Sequence, residues 1–266
     1  MRVPIDDGEL AVLDEGAGLA MVLLHGFPLA KETWDAQAAV LQKHARIVRI
    51  DLRGLGASRG GPGPYLMETL AGDVAAVLDA LGIERAAIVG HSLGTYVAYA
   101  FFRMFEERVL GLGLVCGRSD ADSAQAAAWR YELAERTERD GMTALADDYV
   151  PRYFAAEVYS ERPALEQRAR AIILAGEARG AAALLRGMAV RVAADDLFDA
   201  MHIPVSVVAG RADALIPLSH QEETARSITR ARLVVLDTGH VPLFEAPDDV
   251  TDALLTLAGD VAATGS

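Results

Sequence analysis

Between the apolar, β-branched run Ala86-Ala87-Ile88-Val89 and the apolar stretch Thr95 to Phe102 lie only five residues that break the pattern, Gly90-His91-Ser92-Leu93-Gly94. The first run reads as a buried strand and the second, too long for a loop, as a buried helix. A strand that becomes a helix within one turn strains the residue at its centre. Glycines belong there because no β-carbon fits where strand and helix come so close. Such a turn lifts the Ser92 hydroxyl clear of the sheet, at the positive end of the new helix, where developing negative charge is favoured. G-x-S-x-G between a strand and a helix therefore points to a nucleophilic serine. A plain glycine-rich turn with a capping serine would need no partners elsewhere in the chain.

The 266 residues suffice for one large domain, or a core with an insertion, and a hydrophobic fraction of 52% excludes general disorder. A formal net charge of −13 argues against a nucleic-acid partner, because phosphate binding needs clustered Lys and Arg. The longest apolar region, Ala86 to Phe102, is broken by His91, Ser92 and two glycines, so it is not a membrane span. Met1 to Asp7 has no apolar core of signal-peptide length, and Cys116 is the single cysteine. A reducing compartment is compatible with that cysteine usage. The expectation is a cytoplasmic protein in which Cys116 is buried at a strand end.

Asp7-Gly8 reads as the turn of a hairpin across residues 2–15. Strands follow at Ala20–Leu24, Arg46–Ile50, Val109–Val115, Val205–Ala209 and Leu233–Leu236. Helical spacing alternates with them over 31–44, 67–81, 219–228 and 248–259, ahead of an expected frayed tail at Ala262–Ser266. This alternation predicts an α/β fold, a mostly parallel sheet covered by helices on both faces. From Arg118 to Asp199 strand-like runs vanish and helices are read at Gln125–Arg139, Met142–Val150, Leu165–Leu174 and Ala181–Val192. The core is thus expected at 1–117 and 200–266, and a helical cap or lid at 118–199.

A serine hydroxyl attacks well only when a neighbouring base takes its proton and a carboxylate orients that base. Of the six histidines, only His240 lies just past a late strand, on the same sheet edge as Ser92. His44 and His220 read as solvent-facing helix positions, and His202 leads into a strand. The acid should also follow a strand at that edge. Asp213, in Gly210-Arg211-Ala212-Asp213, is preferred; Asp120, one strand earlier, remains an alternative. Asp237 is so near His240 that its side chain is expected to cap the local loop. The backbone N–H groups of Leu93 and Phe27 are the candidate oxyanion donors, each such donor contributing roughly 2.7–4 kcal/mol. His25 is expected to hold its loop by hydrogen bonds, His91 to pack beside the elbow, and Asp51, Arg53 and Ser58 to brace the loop at 51–58. In the cap, Trp129, Tyr153 and Met188 are candidate substrate contacts, although packing accounts for each of them as well. Arg118, where the chain enters the cap, is a candidate to meet a substrate carboxylate, although as one of many cap arginines it reads rather as a solvated charge.

His25-Gly26-Phe27-Pro28, Asp51-Leu52-Arg53-Gly54-Leu55-Gly56-Ala57-Ser58, Gly90–Gly94, Gly210–Asp213 and Thr238-Gly239-His240 together resemble the α/β-hydrolase fold superfamily, in order across almost the whole core. Within it the chain looks most like small carboxylesterases and 3-oxoadipate enol-lactonase-like proteins. The resemblance implies a Ser92–His240–Asp213 triad under a mobile helical cap, and hydrolysis of a small carboxylic ester or lactone through an acyl-enzyme. It implies no cofactor. The sequence agrees, with no Cys or His cluster at metal spacing and no G-x-G-x-x-G after a strand. Serine at 92 tells against epoxide hydrolases and haloalkane dehalogenases, which resemble this core but use aspartate there. Two other readings stay open: a C–C bond hydrolase or perhydrolase using the same triad, and a ligand receptor that retains the fold.

Overall fold

A computed structural model describes residues 1–264. Its strands are β1 (Arg2–Ile5), β2 (Gly8–Gly16), β3 (Ala20–Leu24), β4 (Arg46–Ile50), β5 (Ala86–His91), β6 (Val109–Val115), β7 (Val205–Gly210) and β8 (Ala231–Leu236). They form one sheet in the order β1-β2-β4-β3-β5-β6-β7-β8. β1, β2 and β4 pair antiparallel, and every pairing from β4 onward to β8 is parallel. The parallel strands therefore release their following loops at one common edge. Every residue of β3, β5 and β7 is buried, as strands covered on both faces require.

The helices are α1 (Asp35–Leu41), α2 (Met67–Ala80), α3 (Leu93–Met104), α4 (Ala124–Asp140), α5 (Met142–Tyr149), α6 (Val158–Glu161), α7 (Pro163–Leu174), α8 (Ala178–Ala189), α9 (Leu218–Ser227), α10 (Pro242–Glu245) and α11 (Pro247–Thr264). α1 packs against α11, and α2 against α3. The 31–44 stretch is split: a 3₁₀ turn over Lys31–Trp34 precedes α1, and His44 lies beyond the helix in an exposed turn. The tail expected to fray at Ala262–Ser266 is helical through Thr264, anchored by buried Val261; Gly265 and Ser266 lie outside the described residues.

Helices α4 to α8 all fall between β6 and β7, and α4 packs on both α5 and α8. α8 also presses on the core loop that follows β4. Gly54 and Gly180 touch backbone to backbone, with no room for a β-carbon on either, and Tyr65 N–H donates to the Ala183 carbonyl at 3.1 Å. The Asp51 loop is braced as its composition suggested. The buried Asp51 carboxylate accepts from Lys31 N (2.8 Å), Lys31 Nζ (2.7 Å) and Ala57 N (2.8 Å), and Ser58 Oγ donates to its carbonyl at 2.6 Å. Arg53 pairs with both oxygens of Asp73, at 2.9 and 2.6 Å.

Candidate active site

Ser92 sits between β5 and α3 at φ 50°, ψ −110°, a positive-φ conformation uncommon for a residue with a β-carbon. A β-carbon on Gly90 would collide with the Gly94 carbonyl, and one on Gly94 with the Leu24 carbonyl of β3. Those contacts force the sharp turn and leave the serine side chain half-buried at the sheet edge. Such local strain persists only because the surrounding sheet and helix over-determine it.

The same edge carries the loops after β7 and β8. Asp213 and His240 meet there: His240 Nδ1–H donates to Asp213 Oδ2 at 2.8 Å, and His240 Nε2 accepts from Ser92 Oγ at 2.9 Å. The other Asp213 oxygen accepts from Leu215 N (2.8 Å) and Ile216 N (2.9 Å). Burial raises the Asp213 pKa, but the adjacent His240 and those two N–H groups outweigh it and hold the carboxyl below its usual range. An ionised Asp213 fixes the His240 tautomer with its proton on Nδ1 and a lone pair facing serine.

His240 is itself held from several sides. Its N–H donates to the Tyr153 carbonyl at 2.7 Å, and the Tyr153 ring stacks on the imidazole with centroids 6.2 Å apart. His91 Nε2–H donates to the His240 carbonyl at 2.8 Å. Burial, and then the neighbouring His240, push the His91 pKa down to about 3, so that ring is a neutral donor. Glu245 accepts from Gly239 N (2.9 Å) with one oxygen and from Ala155 N (3.1 Å) with the other, fastening the histidine loop to the helical insertion. Burial outweighs those two bonds and raises the Glu245 pKa to about 6.

On the opposite side of Ser92, Leu93 N opens helix α3 and Phe27 N follows β3. Neither N–H donates to a protein acceptor among the described residues. Gly26 brings the Phe27 loop close: a β-carbon there would lie 2.6 Å from His91 Nδ1 and 3.2 Å from Ser92 Cβ. Tyr153 Oη donates to the Phe27 carbonyl at 2.9 Å and holds that loop in place. His25 holds the loop by accepting from Leu52 N at 2.9 Å through Nε2.

Several expectations change. Tyr153, a candidate substrate contact, has 0% exposure and instead clamps His240 and Phe27. Met188 is also buried, with its sulfur 3.6 Å from Arg130 Nη1, whereas Trp129 is partly exposed. Asp237 does not cap its loop; its side chain is 87% exposed and pairs with Arg211. Asp120 pairs with Arg118 and lies 3.6 Å from His220, so it is not with His240, and Arg118 is paired rather than solvated. Glu245 and the neutral donor role of His91 were not read from sequence. An acidic residue in the apolar run Pro242-Leu243-Phe244-Glu245-Ala246-Pro247 was the available signal for Glu245. Among the described residues, Cys116, Asp213 and His240 place ligand-type atoms within 4.8 Å of one another. Asp213 and His240 are already bonded to each other, and burial keeps the Cys116 thiol protonated.

Residues 20–247 match the family described as alpha/beta hydrolase fold. The chain belongs to the α/β-hydrolase fold family. It is 36% identical to a thermophilic esterase from Thermogutta terrifontis, solved with malate bound, covering 98% of this chain and 99% of that one with a TM-score of 0.95. Against the enol-lactonase from Burkholderia xenovorans the identity is 28%, the coverage 97% and 100%, and the TM-score 0.90. The 3-oxoadipate enol-lactonase 2 of Acinetobacter baylyi is 27% identical over 221 residues, 83% of this hydrolase-fold chain and 81% of that protein.

Proposed function

We propose that this protein is a serine hydrolase that cleaves a carboxylic ester or lactone of a small substrate through an acyl-enzyme. The observation that carries the reading is the unbroken chain Ser92 Oγ to His240 Nε2 at 2.9 Å and His240 Nδ1 to Asp213 Oδ2 at 2.8 Å. Esterase and enol-lactonase relatives that match nearly the full length support the ester-type substrate. Ser92 attacks the carbonyl carbon while His240 Nε2 takes its proton, and Asp213 stabilises the imidazolium. The carbonyl oxygen becomes an oxyanion between the free N–H groups of Leu93 and Phe27. Collapse of the tetrahedral intermediate expels the alcohol, which receives the proton from His240. His240 then activates water against the acyl-serine, and the acid leaves.

Helices α4 to α8 act as the cap over this reaction, fastened through Tyr153 and Glu245 rather than hanging free. Among the described residues no helix is long and apolar enough to cross a membrane. A cytoplasmic setting suits the single unpaired Cys116.

Hydrolysis of p-nitrophenyl acetate and butyrate by the native protein and by Ser92→Ala tests the reading. Nitrophenol release that disappears in the variant is expected. Equal release by both proteins would overturn the assignment of Ser92, and no release by either would turn attention to a C–C bond hydrolase or a receptor.

A further inference from the structure

Tyr153 belongs to the insertion, yet it touches both sides of the reaction centre. Its backbone is fixed to the base: the Tyr153 carbonyl accepts from His240 N at 2.7 Å and from Val241 N at 3.1 Å. Two further contacts hold the same segment there. Ala155 N donates to Glu245, and Gly239 lies so close that a β-carbon on it would stand 2.6 Å from the Phe154 carbonyl carbon. From that fixed backbone the side chain crosses beside the imidazole and ends on the Phe27 carbonyl, 2.9 Å from its hydroxyl. Burial pushes the Tyr153 pKa well above its usual value, so the hydroxyl stays protonated and donates.

The carbonyl it meets bears on the proposed oxyanion donor. That donor N–H belongs to the Gly26–Phe27 peptide, whose carbonyl accepts from Leu29 N and from His25 Nδ1, each at 2.9 Å. The next peptide begins at the Phe27 carbonyl, which has no other hydrogen-bond partner among the described residues. Peptide units are planar and pivot about the α-carbons between them. A loose plane after Phe27 would therefore let its α-carbon drift, and the N–H with it. The core holds the first plane, and Tyr153 holds the second. The Phe27 ring is gripped from the insertion as well. It meets the Tyr149 ring edge-on with centroids 5.4 Å apart, and Tyr149 meets Tyr153 at 6.1 Å.

We propose that Tyr153 is a positioning residue for the oxyanion hole, its hydroxyl setting the Phe27 N–H in a fixed relation to His240 across Ser92. The helical insertion then completes the hole instead of merely covering it. The inference rests on the Ser92 hydrolase reading, because it gives the hydroxyl a part in stabilising the tetrahedral oxyanion.

Tyr153→Phe deletes the hydroxyl and keeps the ring and every backbone bond. The single unpaired carbonyl it leaves costs only a fraction of a domain's stability. Tyr159→Phe is the comparison. Its hydroxyl bonds to Val150 O at 2.7 Å and Phe154 N at 3.2 Å, in the same segment but away from Phe27. Two ketones read the hole. In pentyl trifluoromethyl ketone the carbonyl carbon bonds to Ser92 Oγ, the serine proton passes to His240 Nε2, and the carbonyl π electrons become the charge of a hemiketal oxyanion. Methyl pentyl ketone binds without that addition.

In Tyr153→Phe, kcat/KM for p-nitrophenyl butyrate should fall about tenfold, less than the roughly 10²–10³-fold typical of losing a donor outright. The Ki of the trifluoromethyl ketone should rise by the same factor, while that of methyl pentyl ketone stays within about twofold. The acid limb of the pH profile, set by His240, should not move. A fraction of inactive protein would lower kcat and leave both Ki values alone. Tyr159→Phe should change none of these by more than about twofold. The proposal is overturned if Tyr153→Phe keeps the native Ki for the trifluoromethyl ketone, shifts the acid limb, or is matched by Tyr159→Phe. Ester cleavage that depends on Ser92 would still sustain the hydrolase reading in each of those cases. A native protein that neither cleaves the ester nor binds the trifluoromethyl ketone more tightly than methyl pentyl ketone would overturn both.

Discussion

The sheet edge and the helical insertion hold their polar groups by different means. Ser92, Asp213 and His240 hang a few residues past strand ends whose positions are set by parallel backbone ladders. In the insertion, charged side chains hold one another: Arg130–Asp122–Arg191, Arg136–Asp148–Arg152 and Arg186–Glu138. In the proposed reaction the first arrangement sets the geometry, whereas the second rests on side-chain pairs that can be changed one at a time. The two regions meet where Tyr153 and Glu245 bond to both. Substitutions at the edge should therefore act on kcat, and substitutions in the insertion on KM and selectivity.

The largest effect belongs to the edge. Asp213→Asn presents an amide to His240 Nδ1–H and should cut kcat by about 10⁴-fold with KM little changed, as read from steady-state kinetics. Next is Gly26→Ala, whose β-carbon would push on His91 and Ser92; kcat should fall by roughly 10- to 100-fold. A loss confined to KM would erase the distinction between the two regions.

Glu245→Gln, at their junction, removes an acceptor from either Gly239 N or Ala155 N and should cost about tenfold in kcat. Its pH signature sharpens the point. A carboxyl raised from 4.5 to about 6 in the folded protein adds stability below its unfolded pKa and loses it as pH rises through the folded value. Unfolding by urea should show the native protein losing about 2 kcal/mol relative to Glu245→Gln between about pH 4.5 and 6.5. A flat difference would mean that Glu245 is not so buried. Smallest on catalysis is Met188→Ala. It should shift KM by about threefold and leave kcat within about twofold, while the cavity costs about 2–3 kcal/mol of stability. A kcat loss matching that of Gly26→Ala would show the insertion to be part of the reaction geometry.

The same division explains what could be read from the chain. Strand ends are marked by apolar runs that stop at Gly90, Gly210 and Asp237, so the parallel edge collects Ser92, Asp213 and His240 almost by topology. Helical periodicity in α4 and α5 marks an apolar face but does not say what that face meets. Hence Tyr153, readable either as a substrate contact or as packing, is a buried clamp on Phe27 and His240. Glu245 was missed because its partners are backbone N–H groups from segments distant in sequence, Gly239 apart. The split of the 31–44 stretch follows from the buried Trp34 and Thr33, which pack the first turn as 3₁₀ before α1 begins.

The most direct test is chemical quench of the native protein with p-nitrophenyl acetate in the millisecond range, followed by peptide mass analysis. An acetyl group on the peptide bearing Ser92, formed no more slowly than nitrophenol is released and absent in Ser92→Ala, is the expected result. Sustained nitrophenol release with Ser92 unmodified at every time point would contradict the acyl-enzyme mechanism and the role given to Ser92.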